Sequence, residues 1–306
     1  MAGASLSVIM CNYNYGRYLG GALNAVTSQS RKPDQFIVVD DGSTDDSVAI
    51  IEEAARRHPF VKLLRNDRNR GVTYTVNRGL ENVTGDYISF QSSDDLVLPG
   101  FIEKTMGMLE KHPQAALCCS YPSTLEDETG DIRDYVMDWG EAPSYFPPDR
   151  LTDLFRRGTI AGNACVLKRR TFHEVGGFRP DLRWHCDWFP YMVMAFRYGI
   201  CYVPERLAVI RVHKQSYSAA GMKRWGEQRA VLHRILDLLH SPEYRDLLPM
   251  FIASGSLTRS FRWGLIRAVM CYPRYWRPSN FRLVFHWYQL ERQLRRRIPF
   301  AGRKRL

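Results

Sequence analysis

Four apolar residues in a row, Phe36-Ile37-Val38-Val39, stop at two adjacent acids, Asp40 and Asp41, and lead into a turn, Gly42-Ser43-Thr44-Asp45. A short unbroken apolar run bounded by turn signals suits a strand covered on both faces, as in a parallel sheet. The same pattern recurs. Residues 6–10 form an apolar run that ends at Asn12-Tyr13-Asn14-Tyr15-Gly16, and residues 87–90 lead through Gln91-Ser92-Ser93 to Asp94 and Asp95. Residues 61–64 and 115–120 read as two further strands. Between them lie helix signals: 18–28, with Leu19, Leu23 and Val26 on one face; a segment capped by Ser43 or Thr44 and running to about 58; 72–82, closed by Gly85; and 99–112, opened by Pro99. Strands alternating with helices imply an α/β fold with a mostly parallel, doubly wound sheet. In such sheets ligands bind beyond the carboxyl ends of the strands. Acid pairs at that position suit a divalent metal, a ribose or a base edge, and so predict a nucleotide ligand with a hard cation.

The pattern changes after residue 120. Residues 121–150 are rich in Asp, Glu, Pro and Tyr without clear periodicity and read as an excursion or flap. Residues 160–168 read as a strand, 169–174 as a short helix ending at Gly176-Gly177, and 187–197 as a helix that Pro190 restricts to begin near itself. Residues 200–203 and 207–212 are strand-like. From about 222 onward the signals are helical, with Leu, Arg and aromatics interleaved. No internal repeat or low-complexity segment is present. These signals divide the chain into an α/β catalytic domain, 1–220, and a helical basic-aromatic region, 221–306.

Charge follows the same division. The net charge is +11, yet residues 222–306 hold 18 Lys and Arg against 5 acids, while residues 1–221 are almost neutral. A polybasic surface usually meets phosphate, in nucleic acid or anionic lipid. The seven cysteines form no C-x-x-C pair, which disfavours zinc, and several sit in apolar runs as expected of buried thiols in a reducing compartment. The N-terminus lacks the basic start and uninterrupted apolar run of a signal peptide. No apolar run approaches the roughly 20 residues of a spanning helix. A cytoplasmic protein, peripheral on the inner face of the plasma membrane, is the expectation.

Ser7-Val8-Ile9-Met10-Cys11-Asn12-Tyr13-Asn14 and Val38-Val39-Asp40-Asp41-Gly42-Ser43-Thr44-Asp45 resemble the opening motifs of the family 2 glycosyltransferases, which have the GT-A fold. Asn69-Arg70-Gly71, Asn77-Arg78-Gly79, and Gly85-Asp86-Tyr87-Ile88 followed by Asp94-Asp95 resemble the next segments of that family. Gly176-Gly177-Phe178 with Asp187-Trp188 resembles its acceptor side, and Arg211-Val212-His213 with Ser216 and Ser218 the end of its catalytic domain. The resemblance spans about residues 5–218, with the motifs in the family's order and spacing.

The resemblance implies an inverting, metal-dependent transfer of a sugar from a nucleotide-diphosphate donor (a UDP-, GDP- or dTDP-sugar) to a glycan or lipid-linked acceptor, in cell-surface polysaccharide synthesis. The departing diphosphate needs its developing charge neutralised, commonly by Mg²⁺ or Mn²⁺ held by carboxylates. By resemblance Asp95 and Asp94 hold the metal, Asp94 also serving ribose, and His213 completes the metal shell or meets the diphosphate. Asp40 and Asp41 correspond to nucleotide-binding acids, and Asn12 and Tyr13 frame the base. Asp187 corresponds to the general base that deprotonates the acceptor hydroxyl, with His185 an alternative. Each acid also has a plainer role, as a helix cap or turn carboxylate. Three departures stand out: Ser92 replaces the first acid of the usual Asp-x-Asp, Cys186 replaces the Glu before the base, and Thr75-Val76 replaces an Ala-Arg.

Other functions share parts of this pattern. A nucleotidyltransferase also uses an α/β sheet with acidic metal sites, but a Gly-rich phosphate loop after the first strand is missing. So is the G-x-G-x-x-G of a dinucleotide oxidoreductase. A non-catalytic sugar-nucleotide-binding module is compatible with Ser92 and Cys186. The basic-aromatic tail suits an anionic membrane interface, packing on the catalytic domain, or packing in a homo-oligomer. No nucleic-acid recognition motif accompanies its charge.

Overall fold

The apolar runs become the centre of a ten-stranded sheet. In the computed structural model, which describes residues 3–213, 221–222 and 224–285, β1 (Leu6–Asn12), β2 (Gln35–Asp40), β3 (Val61–Arg65) and β4 (Tyr87–Ser92) pair in parallel in the order β3-β2-β1-β4. Val8 stands opposite Phe36 and Met10 opposite Val38, so the alternating side chains of β1 and β2 share each face. α1 (Gly16–Thr27) covers one face with Leu19, Ala22, Leu23 and Val26. α4 (Phe101–Lys111) adds Phe101, Ile102, Met106 and Leu109 to the same core. Each Leu, Val, Ile, Phe or Met side chain among these contributes about 1.5–3 kcal/mol on full burial. α2 (Ser47–Arg57) and α3 (Val72–Leu80) complete the crossovers.

Beyond β4 the sheet becomes mixed. β5 (Leu96–Val97) is a two-residue edge strand. β6 (Leu117–Glu126) and β10 (Ile200–Val212) pair in parallel, and β9 (Cys165–Lys168) lies antiparallel between β4 and β6. The parallel alternation predicted from the first half therefore holds there and gives way where chain returns become short. The two strands expected at 200–203 and 207–212 are one strand, with register shifts between Val203 and Ala208. The region 121–150 is not an irregular flap throughout. It contains the end of β6, β7 (Ile132–Asp134) on β6, and β8 (Ser144–Phe146) on β10. β7 is exposed at all three residues, so it carries no apolar pattern to betray it.

α5 (Leu151–Leu154) and α6 (Arg169–Glu174) are short, whereas α7 (Trp188–Tyr198) is buried along most of its length, from Phe189 to Phe196. Pro190 is the third residue of α7, in the first turn, where a missing N–H costs nothing. All seven cysteines are free thiols, and Cys118, Cys119, Cys165 and Cys201 are buried in β6, β9 and β10.

The chain separates into two compact units, Met1–Leu151 with Arg157–Ala220, and Thr152–Arg156 with Gly221–Leu306. The second unit contains α8 (Trp225–His240), α9 (Leu248–Ser254), α10 (Ser256–Phe261) and α11 (Trp263–Met270). α8 buries Val231, Leu232, Ile235, Leu236 and Leu239 on one face. Gly255, at φ 63°, turns the chain between α9 and α10. Among the described residues no helix is long and apolar enough to cross a membrane. Trp287, Tyr288 and the basic triplets at 295–297 and 303–305 lie outside the described residues.

Candidate active site

The carboxyl ends of β1 and β2 are stapled by the first acid pair. Asp40 is 0% exposed. Its Oδ1 accepts from Asn12 Nδ2 at 2.9 Å and Ser43 Oγ at 2.5 Å, and its Oδ2 from the Ser43 N–H at 2.9 Å. Asp40 and Asn12, expected at the nucleoside, are both buried here and hold each other and the loop at Ser43. Tyr13, by contrast, is well exposed. Asp41, 3% exposed, holds the loop after β3. Its Oδ1 accepts from Asn66 Nδ2 at 2.6 Å and the Arg70 N–H at 2.8 Å, and its Oδ2 from the Gly71 N–H at 2.8 Å. A carboxylate has about four acceptor sites, so Asp41 retains room for one further donor. Gly42, at φ 74°, allows this loop to close: a Cβ there would stand 2.6 Å from the backbone of Arg68.

The second pair divides its two carboxylates. Asp95 turns inward, accepting from the Arg211 N–H at 2.8 Å on Oδ1 and from Asn163 Nδ2 at 3.0 Å on Oδ2. Ser92, where the family has an acid, also hydrogen-bonds Asp95. Burial, then the charge of Asp94, pushes the Asp95 carboxyl up to about 7. Asp94 instead lines a cleft of about 330 Å³. The Asp94 Oδ2 pairs with His213 Nε2 at 2.9 Å, and its backbone carbonyl accepts from Arg211 Nε at 3.2 Å. Of the two acids expected to hold the metal, Asp94 lines the cleft and Asp95 lies beneath it, bonded to Arg211 and Asn163. His213, expected at the diphosphate or in the metal shell, turns its Nε2 to Asp94. Its buried Nδ1 has no hydrogen-bond partner among the described residues, and its ring meets Tyr15 edge-on at 5.5 Å.

Arg211 is the residue that sequence reasoning passed over. Besides gripping both members of the Asp94-Asp95 turn, it pairs with Asp127 at 2.9 Å and stacks on Tyr18 at 4.5 Å. Tyr18 in turn donates to Asp127 at 2.6 Å. The Arg211-Val212-His213 motif was the available signal, but only His213 had been given a role. Asn163 has no signal beyond lying near a glycine.

Asp187 lines the same cleft as Asp94, with Ser92, Asn163, Phe178 and Tyr191 on the walls. Its Oδ1 accepts from the Trp188 N–H at 2.7 Å and caps α7. Burial raises its carboxyl above the usual range, and the hydrogen bond from Trp188 opposes that shift. A Cβ on Gly162 would stand 2.6 Å from Asp187 Oδ2, so any larger residue there would displace that carboxylate. His185, the alternative base, is buried, and burial lowers it to about 4.

Among the described residues no three His, Cys, Asp or Glu side chains form a ready-made metal cage. Mg²⁺ and similar hard cations need less: one or two carboxylates, waters and substrate phosphates. Asp94 fits that role, because only its Oδ2 is engaged among the described residues.

Residues 7–176, more than half of the chain, match the family described as Glycosyl transferase family 2. The putative glycosyltransferase EpsE of Bacillus subtilis is 39% identical over 112 residues, 36% of this chain and 40% of that protein. The uncharacterized glycosyltransferase YibD of Escherichia coli is 34% identical over 188 residues, 58% of this chain and 49% of that one. The chain thus spans less than half the length of these two curated relatives. Among solved structures, S. aureus TarS in complex with UDP-GlcNAc matches with a TM-score of 0.63 at 15% identity, covering 97% of this chain and 93% of that one. The mannosyltransferase PcManGT from Pyrobaculum calidifontis, in complex with GDP-Man and Mn²⁺, matches with a TM-score of 0.57 at 17% identity, covering 95% and 88%. At these identities the likeness speaks to the fold, which is the expected GT-A α/β architecture with a helical C-terminal extension. Motif order, fold and family match converge, and the chain belongs to glycosyl transferase family 2.

Proposed function

We propose that this chain transfers a sugar, with inversion, from a nucleotide-diphosphate donor to a hydroxyl of a glycan or lipid-linked acceptor in cell-surface polysaccharide synthesis. The observation that carries this reading is one cleft with Asp94 and Asp187 both on its wall. Asp187 takes the proton of the acceptor hydroxyl. The acceptor oxygen attacks the anomeric carbon, and the bond to the diphosphate oxygen breaks, releasing the nucleoside diphosphate. A carboxyl raised by burial is a stronger base than an ordinary aspartate, and proton transfer at a positioned side chain contributes about 10²–10⁴-fold. Mn²⁺ or Mg²⁺, when bound, supplies charge neutralisation at the diphosphate. Asp94 would hold it, while Arg211 and His213 fix the orientation of that turn. Asp41 and exposed Tyr13 border the nucleoside, and the GDP-Man and UDP-GlcNAc complexes of the two structural neighbours support a nucleotide-sugar donor.

The helical unit would carry the enzyme to an anionic membrane surface on the cytoplasmic side. Exposed Trp263, Trp276, Phe281 and Phe285 support this, together with the basic excess of the region. Donor hydrolysis with Mn²⁺, compared between the wild type and Asp187→Asn, tests the catalytic claim. Nucleotide-sugar binding without turnover in the wild type would favour a non-catalytic binding module instead.

A further inference from the structure

One carboxylate stands behind the turn that carries Asp94. Asp127 opens the turn between β6 and β7, and its N–H donates to the Val212 carbonyl at 3.0 Å, which seats it beside β10. Both of its oxygens are engaged. Oδ1 accepts from Arg211 Nη1 at 2.9 Å, and Oδ2 accepts from the Tyr18 hydroxyl at 2.6 Å and from exposed Arg17 at 3.4 Å. The group thus joins the β6–β7 turn to the first turn of α1 and the end of β10. The Asp127 and Arg211 side chains are each 20% exposed, so their pair is shielded from the screening that makes most surface pairs worth little. The Tyr18 ring adds to this by covering the guanidinium at 4.5 Å.

That guanidinium has a choice of acids. Its Nε already donates to the Asp94 backbone carbonyl at 3.2 Å, and the Arg211 N–H donates to the Asp95 carboxylate. Among the described residues it nevertheless pairs with Asp127, and the Asp94 carboxylate pairs with His213 alone. Arginine's fork of donors matches a carboxylate well. Without Asp127, the acids left beside it are Asp94 and Asp95, of which Asp94 lines the cleft. A guanidinium seated on Asp94 would oppose any other cation there.

We propose that Asp127 is a positioning residue for cation binding: by holding the Arg211 guanidinium it keeps that charge off the Asp94 carboxylate. This rests on the reading of Asp94 given above. Asp127 acts only through Arg211, and the cleft wall does not include it. Outer partners that orient a ligating group commonly change metal affinity by about 10–100-fold when removed.

Calorimetric titration of the full chain with Mn²⁺, in the presence of UDP, GDP or dTDP, tests this in the wild type, Asp94→Ala, Asp127→Asn, Asp127→Glu and Asp134→Asn. Asp127→Asn weakens Mn²⁺ binding about tenfold or more. Asp127→Glu, which keeps a charge for Arg211, recovers most of that loss. Asp134, in β7 of the same hairpin, pairs with Arg206 at 3.4 Å, both side chains 46% exposed. Asp134→Asn therefore makes the same charge change without touching Arg211, and it leaves Mn²⁺ affinity as in the wild type. Wild-type Mn²⁺ affinity in Asp127→Asn overturns the proposal. So does an equal loss in Asp134→Asn, which marks a general charge effect, or an equal loss of nucleotide affinity measured without metal, which marks a damaged fold. If the wild type and Asp94→Ala take up Mn²⁺ alike, the reading of Asp94 itself fails.

Discussion

Replacing Asp41 by alanine separates a structural from a purely ligand-facing acid. Three donors converge on this carboxylate, from Asn66, Arg70 and Gly71, at 2.6–2.8 Å. Hydrogen bonds to a charged group contribute about 1.5–3 kcal/mol each, so the full set would reach roughly 4.5–9 kcal/mol. That sum needs discounting. Arg70 is exposed and Gly71 half-buried, so water can replace the carboxylate at their N–H groups for about 0.5–1 kcal/mol each. Asn66 is buried and also meets Thr75 and Arg78, so it loses one partner of several, for about 1–2 kcal/mol. The expected destabilisation is therefore about 2–4 kcal/mol. It would be measured as a lowered urea midpoint at unchanged slope. Asp41→Asn, which keeps one acceptor oxygen, should fall between alanine and wild type. A midpoint shift worth under about 0.5 kcal/mol, the ordinary surface range, would refute the staple. Loss of nucleotide affinity alone would then make Asp41 a ligand contact and nothing more.

Asp187→Asn should lower kcat by about 10²–10⁴-fold while leaving donor binding in place, as single-turnover kinetics can show. Its pH dependence has a definite sign. The folded-state value of Asp187 is raised above the ordinary carboxylate value of about 3.9, so the charged form costs stability above that pH. The asparagine variant, still a good helix cap, should then be more stable than the wild type at pH 7, with the gap closing as the pH falls towards 4. In the wild type, kcat/KM should rise with pH through a midpoint above the ordinary value; a midpoint at or below it would remove Asp187 as the base. Gly162→Ala should cost at least about tenfold in kcat, since its Cβ would press on Asp187 Oδ2 at 2.6 Å, and unchanged kinetics would show that the wall yields. EDTA should abolish turnover and Mn²⁺ restore it, with Asp94→Ala losing Mn²⁺ binding by calorimetry; full activity in EDTA ends the metal reading. Flotation with anionic liposomes should carry the full chain upward, and its absence would leave the basic-aromatic unit to protein contacts.

Much of the first half was legible because its signals are local. A run such as Phe36 to Val39 has few ways to be buried, and the helix stripes beside it supply the cover. The strands missed by pattern, β5, β7 and β8, are two or three residues long and include no fully buried run. Nothing in their composition separates them from loop.

The site divides along the same line. Sequence alone determined that two acid pairs stand at the carboxyl ends of parallel strands and that an acid precedes α7, since strand, turn and cap are neighbours in the chain. Tertiary structure decided which acid faces the cleft. Asp94 is oriented by Arg211 and His213, which lie 117 and 119 residues away, and Asp95 is drawn inward by Asn163 at a distance of 68. Asp40 and Asp41 look alike in sequence, yet one is closed off by Asn12 and Ser43 and the other fastens the loop after β3. A carboxylate takes whichever donors the fold brings to it, and those partners come from distant parts of the chain, where no local pattern records them.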